Sequence, residues 1–264
     1  MRSPGMAVAL PLRSPAPARP VRRLRVQLHD GARTTVHVAV HDAAATDLRV
    51  AVLRGQRLGA WCAARGIDDA LVGGFFTRPA TEPLGELRTR GILRRHVAFD
   101  APWDDVRACV HVAGGEVRIA RRDELPAMPR GDLLQAGPLL VREGRVAFDA
   151  ATDLEGFRAG AGQFDSDITA ERHPRAALGV GDGRLLAVVC DGRARTDAGL
   201  TLEELAEVLV ALGARDALNL DGGGSATLVA GGRVRNRPRA RFSVPEPGGR
   251  PVATALLFVA RARD

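Results

Sequence analysis

The stretch from Ala217 to Thr227 reads ALNLDGGGSAT. Ala217, Leu218 and Leu220 form a short apolar strand that carries Asn219 outward and ends on Asp221. Gly222, Gly223 and Gly224 follow, then Ser225 and Thr227. Glycine gives up more backbone freedom on folding than any other residue, so three in a row at a strand end are costly. They suggest a backbone that must come close to something, typically an anion or a polar ligand. An acid, an amide and two hydroxyls border that opening. The same letters also suit a plain turn between two strands, with Asp221 and Asn219 bonding to nearby backbone. The neighbouring segments weigh between these readings.

Working outward, Ala226 to Ala230 reads as the returning strand, Gly231-Gly232 as a turn and Val252 to Val259 as a closing apolar strand. Upstream, Thr201 and Glu204 have the spacing of a capping box. Leu202, Leu205, Leu209 and Leu212 then mark the buried stripe of a helix that Gly213 ends. Ala176 to Val180 and Leu185 to Val189 flank Gly181-Asp182-Gly183, a hairpin signal. A second hairpin is expected from Leu139-Leu140-Val141 and Arg145 to Phe148. Val97 to Phe99 and Ala108 to Val112 are strand candidates. Asp69 to Val72 reads as a buried strand entering Gly73-Gly74-Phe75-Phe76, a tight passage capped by apolar plugs. A short helix is expected from Leu58 to Arg65. Alternation from Thr35 to His41 predicts a half-buried strand with His37 and His41 on its solvated face. Residues 150 to 170 have no clean period and read as a long surface loop. Strand pairs outnumber strand–helix alternations, so the expected fold is α+β, with a mixed or antiparallel β-sheet core and flanking helices. Residues 1 to 20, with five prolines, read as a disordered tail, and 21 to 264 as one domain.

At 264 residues the chain can bury a proper core. It has no lysine and no tyrosine, so its 38 basic residues are all arginine, set against 31 acids for a formal charge of +7. The arginines are spread along the chain and interleaved with acids, unlike the clustered stripe of a nucleic-acid binder. The excess favours anionic small molecules as partners. No apolar run is long enough to cross a membrane. The N-terminus lacks the apolar length of a secretory signal, which favours the cytoplasm over export. Cys62, Cys109 and Cys190 make no C-x-x-C pair, and neither a disulfide framework nor a zinc site is readable. No metal and no cofactor is expected. A P-loop is disfavoured, since no glycine loop is followed by Lys-Ser or Lys-Thr.

Four segments are expected to converge: Gly73 to Phe76, His173-Pro174-Arg175, Asp191-Gly192-Arg193, and Asn219 to Thr227. Pairing in the 176–189 hairpin should bring Arg175 and Asp191 to one end. Arg175 could fork onto a phosphate through two parallel hydrogen bonds.

The run TLEELAEVLVALGARDALNLDGGGSATLV resembles the phosphodiester glycosidase family. HPRAALGVGDGRLLAVVCDGR before it, and VRNRP and RPVATALLF after it, add to the resemblance; GGFF at 73–76 and QAGP at 135–138 extend it. The resemblance implies hydrolysis of a sugar joined through its anomeric carbon to a phosphodiester, releasing free sugar and a phosphomonoester. It points to Arg175, Asp191, Asn219, Asp221, Gly222, Gly223, Gly224, Ser225 and Thr227 as pocket residues, with Gly73, Gly74, Phe75 and Arg193 beside the substrate. Arg175 and the three glycine amides would clamp the phosphate. Asp221 would be base or nucleophile with Asp191 as its partner, while Asn219, Ser225 and Thr227 would bind hydroxyls or phosphate oxygens. Two positions depart from the family pattern, which has asparagine where this chain has Val72 and Thr254. Valine offers no side-chain hydrogen bond. The alternative reading is a catalytically silent carbohydrate- or phosphoglycan-binding domain of the same fold.

Overall fold

The computed structural model describes residues 21–261 except 80, 160 and 164–167. The tail at 1–20 lies outside the described residues. Three β-sheets dominate, and every pairing between their strands is antiparallel. The largest has seven strands, in the order Arg22–Gln27, Arg33–Asp42, Arg184–Cys190, Arg175–Gly181, Asp216–Asn219, Leu139–Arg142 and Arg145–Val146. A five-stranded sheet holds Ala70–Val72 between Leu228–Ala230 and the long strand Pro251–Ala260. A third, also five-stranded, centres on Asp132–Gln135. Helix is scarcer than the α+β reading expects. Among the described residues, besides α-helical pieces of six and four residues, only Leu202–Ala211 makes a sustained helix.

That helix starts where the sequence says it should. Thr201 Oγ1 accepts from the Glu204 amide at 3.1 Å, and the Glu204 carboxylate accepts from the Thr201 amide at 2.9 Å. Its Leu202, Leu205 and Leu209 pack on one face of the seven-stranded sheet, with Val188 and Cys190. The other face of that sheet, with Ala187 and Val189, meets the remaining two sheets in the main core. Both faces of the sheet are therefore covered, which overturns one expectation. His37 and His41 are buried, because a second layer lies over the face that alternation assigned to water. His41 stacks on Phe258 with ring centroids 4.2 Å apart. Val97 to Phe99 is also not a strand; Val97 makes an isolated bridge to Leu84.

Candidate functional site

Sheet register decides which polar groups can meet. Ala177 stands opposite Asn219, and Arg175 opposite Cys190. Side chains alternate between faces along a strand, so Arg175 and Asn219 share a face. Asp191, one residue past Cys190, faces the other way.

Off the strand ends lies a cleft of about 730 Å³. Asn219, Leu220, Asp221, Gly222 and Gly223 form one side of it, and Phe75 and Phe76 flank them. Gly73 and Gly74 are beneath the surface instead of in it. The Gly73 carbonyl accepts from the Asp221 amide at 3.0 Å and so fixes the carrier of the acid. A side chain at Gly73 would collide with Thr254, and a Cβ at Gly74 would lie 3.0 Å from the Gln135 carbonyl oxygen. This close passage is why both are glycine. The buried Thr254 hydroxyl accepts from the Gly74 amide at 3.0 Å, and Val72 is buried in its strand. Val72 and Thr254 thus lie under the Gly-Gly passage, not among the residues lining the cleft.

The cleft is strongly basic. His173, Arg175, Arg193, Arg241, Arg250 and Arg78 all line it. Burial first, and then the charge of Arg241, hold Arg193 below the usual guanidinium range. Two cations that raise each other's energy in a recess stabilise a bound anion. The three glycines have a purpose that composition did not reveal. The Gly223 amide donates to the Pro174 carbonyl at 2.8 Å and so is already engaged. A Cβ at Gly223 would lie 3.0 Å from Arg193 Nη1, and one at Gly224 would lie 2.5 Å from Arg250 Nη2. The turn is bare so that two guanidinium groups can lie against it.

Arg175 is in the cleft wall, but its fork is turned to the backbone. Nε donates to the Leu200 carbonyl at 3.0 Å, Nη1 to Ile168 at 2.7 Å and Nη2 to Glu171 at 2.8 Å. It holds the 168–171 loop and Leu200 in place. Asp191 does not join the cleft. Its Oδ1 accepts from the Arg237 amide at 2.6 Å, and its Oδ2 lies 3.0 Å from His37 Nε2. Gly224, Ser225 and Thr227 are also beneath the lining: Ser225 and Thr227 are buried, and Thr227 packs against Gly249. Arg193, Asn219 and Asp221 line the same cleft. Asn219 donates through Nδ2 to the Gly137 carbonyl at 2.8 Å, leaving its Oδ1 buried with no partner among the described residues.

Sequence reading missed a strap, residues 235–250, that brings Arg241, Glu246 and Arg250 to the cleft. Asn236 anchors its start, accepting from the Leu228 amide at 3.0 Å and donating to the Ala226 carbonyl at 2.7 Å. The Arg250 amide closes its end on the Gly224 carbonyl at 2.9 Å. At its tip Phe242 is 95% exposed. The VRNRP and RPVATALLF runs at its two ends were the available signal. Among the described residues no cluster of three His, Cys, Asp or Glu is placed to hold a metal. No helix there is long and apolar enough to cross a membrane.

A family model for phosphodiester glycosidases matches residues 66–259. The chain belongs to the phosphodiester glycosidase family. The structure is similar to the catalytic domain of zebrafish N-acetylglucosamine-1-phosphodiester alpha-N-acetylglucosaminidase, a form auto-inhibited by its pro-peptide. The two are 19% identical with a TM-score of 0.68, over 92% of this chain and 83% of that one. It is also similar to a hypothetical protein from Synechocystis, at 20% identity and a TM-score of 0.61, over 91% of this chain and 62% of that one. A putative exported protein from Burkholderia pseudomallei K96243 matches at 17% identity and a TM-score of 0.58, over 87% of this chain and 74% of that one. At these identities the likenesses speak to the fold. A search of curated proteins finds no match. The glycosidase family match takes in Asn219, Asp221, the glycine turn and all but the end of the closing strand.

Proposed function

We propose that the cleft hydrolyses the glycosidic bond of a sugar 1-phosphodiester, releasing free sugar and a phosphomonoester. One observation carries this reading: Asp221 stands at a strand end in the same cleft as Arg193, Arg241 and Arg250. Glycoside cleavage usually needs an acid for the departing oxygen and a carboxylate opposite. A phosphate departs readily without that proton, so one well-placed carboxylate suffices. Arg193 and Arg250 would grip the phosphate oxygens and gain strength as the bond breaks and charge builds on them. Asp221 would attack the anomeric carbon or take the proton of an attacking water, and its charge would stabilise the cationic sugar. Arg175 and Asp191, first read as clamp and partner acid, become positioning residues. The first holds the 168–171 loop and the second holds the strap. Phe75 and Phe76 offer apolar faces to the sugar ring.

The test is release of free sugar from a synthetic sugar 1-phosphodiester. Asp221→Asn should retain the fold, checked by circular dichroism, and lose about 10²–10⁴-fold in kcat. Full activity in that variant removes Asp221 from the chemistry. Binding by the wild type without any turnover would mark the silent carbohydrate-binding domain instead.

A further inference from the structure

A second hollow, of about 230 Å³, lies on the far side of the Asp191–Arg193 turn. Val21, Arg23, His37, Asp191, Arg235 and Arg237 line it. Strand register explains its floor. Arg23 stands opposite His37 in the edge pair, and His37 stands opposite Val189. Arg23, His37 and Asp191 therefore rise from one face of the seven-stranded sheet, the face away from Arg175. The start of the strap, Arg235 and Arg237, makes the outer wall.

The charges of this hollow do not balance. Its one carboxylate among the described residues, Asp191, already has both oxygens engaged, by the Arg237 amide and by His37. Arg235 gives Nε to the Ala230 carbonyl at 2.7 Å. None of the three guanidinium groups forms an ion pair with a carboxylate among the described residues. Among the described residues that line it, three arginines against one aspartate leave an excess of two positive charges. Like charges gathered in a recess repel, and a bound anion relieves them. A phosphate monoester at neutral pH carries about −1.5 to −2 charges and three strong acceptor oxygens, and guanidinium forks suit such oxygens.

We propose that this hollow is a second anion site, separate from the cleft, that takes a phosphate dianion, either inorganic phosphate or a phosphomonoester. The two openings share parts. Asp191 lines the hollow and Arg193 the cleft; Arg235 and Arg237 line the hollow, and Arg241 on the same strap lines the cleft. Occupancy of one therefore bears on the geometry of the other. The site stands whether or not the cleft hydrolyses anything.

Isothermal titration of the full chain at pH 7.5 and low ionic strength tests it, with inorganic phosphate and methyl phosphate in separate runs. The wild type should take up two phosphates per chain. The double variant Arg23→Gln, Arg237→Gln removes two exposed side chains and should keep the fold. It should bind only one phosphate, with the affinity of the other site down at least tenfold. The cleft double variant Arg193→Gln, Arg250→Gln should keep the site that the first variant loses. Methyl phosphate in the hollow identifies monoesters as ligands, and inorganic phosphate alone identifies the free ion. A hollow variant that titrates like wild type overturns the proposal, as does a cleft variant that loses all binding. The titration involves no turnover, so failure to cleave a sugar phosphodiester leaves its result intact.

Discussion

At Gly222, Gly223 and Gly224 the demand for glycine differs from one residue to the next. A Cβ on Gly222 would lie 2.9 Å from the Pro174 carbonyl oxygen, which belongs to backbone and cannot step aside. Gly223 has φ +59°, a left-handed conformation that favours glycine. At Gly224 the nearest obstacle is the end of the Arg250 side chain, which can swing away. The two outer glycines should therefore fail differently. Gly222→Ala should cost about 1–3 kcal/mol of stability through forced backbone shifts, read as a drop in unfolding midpoint. Gly224→Ala should unfold close to wild type yet raise KM for a sugar phosphodiester about tenfold, since it displaces Arg250 from the turn. Thermal denaturation and steady-state kinetics on both variants check this, and the reverse pattern would show that the arginines are not seated as described.

The strap is the element on which the cleft depends most, and its tether is Asp191. Loss of that carboxylate leaves the Arg237 amide and His37 without their partner, at a cost of about 1–3 kcal/mol. Asp191→Ala should therefore loosen 237–250, raising KM several-fold while kcat moves less, and speeding proteolysis within the strap. A collapse of kcat at unchanged KM would instead make Asp191 a reacting group. The regular elements were legible because local chemistry specified them. The Thr201–Glu204 box, the Gly181-Asp182-Gly183 turn and the apolar run before Ala260 each carry a signal that needs no tertiary context. Between its two ends the strap carries no such local signal, because its prolines, glycines and arginines have no period. The orientation of Asp191 was illegible for a different reason. A hairpin read without its register shows which groups share an end, and a single residue decides the face. His37 and His41 were misplaced because alternation reports one covered face and is blind to a second layer on the other.

Across the whole molecule, Glu155 clasps two sheets. Its Oε2 accepts from the Ala108 amide at 2.9 Å and its Oε1 from the Leu139 amide at 2.6 Å, the first in the third sheet and the second in the seven-stranded one. Burial pushes its carboxyl up to about 7, against the pull of those two amides. The folded protein therefore keeps a proton that the unfolded chain releases above about 4.5. Stability falls as pH rises through that interval and levels off above 7, by about 3 kcal/mol in all. Urea unfolding at pH 5 and pH 7.5 should show the wild type less stable at the higher pH. Glu155→Gln should flatten this difference, at lower overall stability because its NH₂ would face a backbone N–H. An undiminished slope in that variant would place the titration elsewhere.

The turn from Asp191 to Arg193 has an architectural consequence. Asp191 lines the smaller hollow and Arg193 the cleft, while Gly192 between them is seated on the backbone of Pro174 and Gly199. A side chain at Gly192 would therefore push on the mounting of both openings at once, which makes this glycine a shared hinge pin for the two.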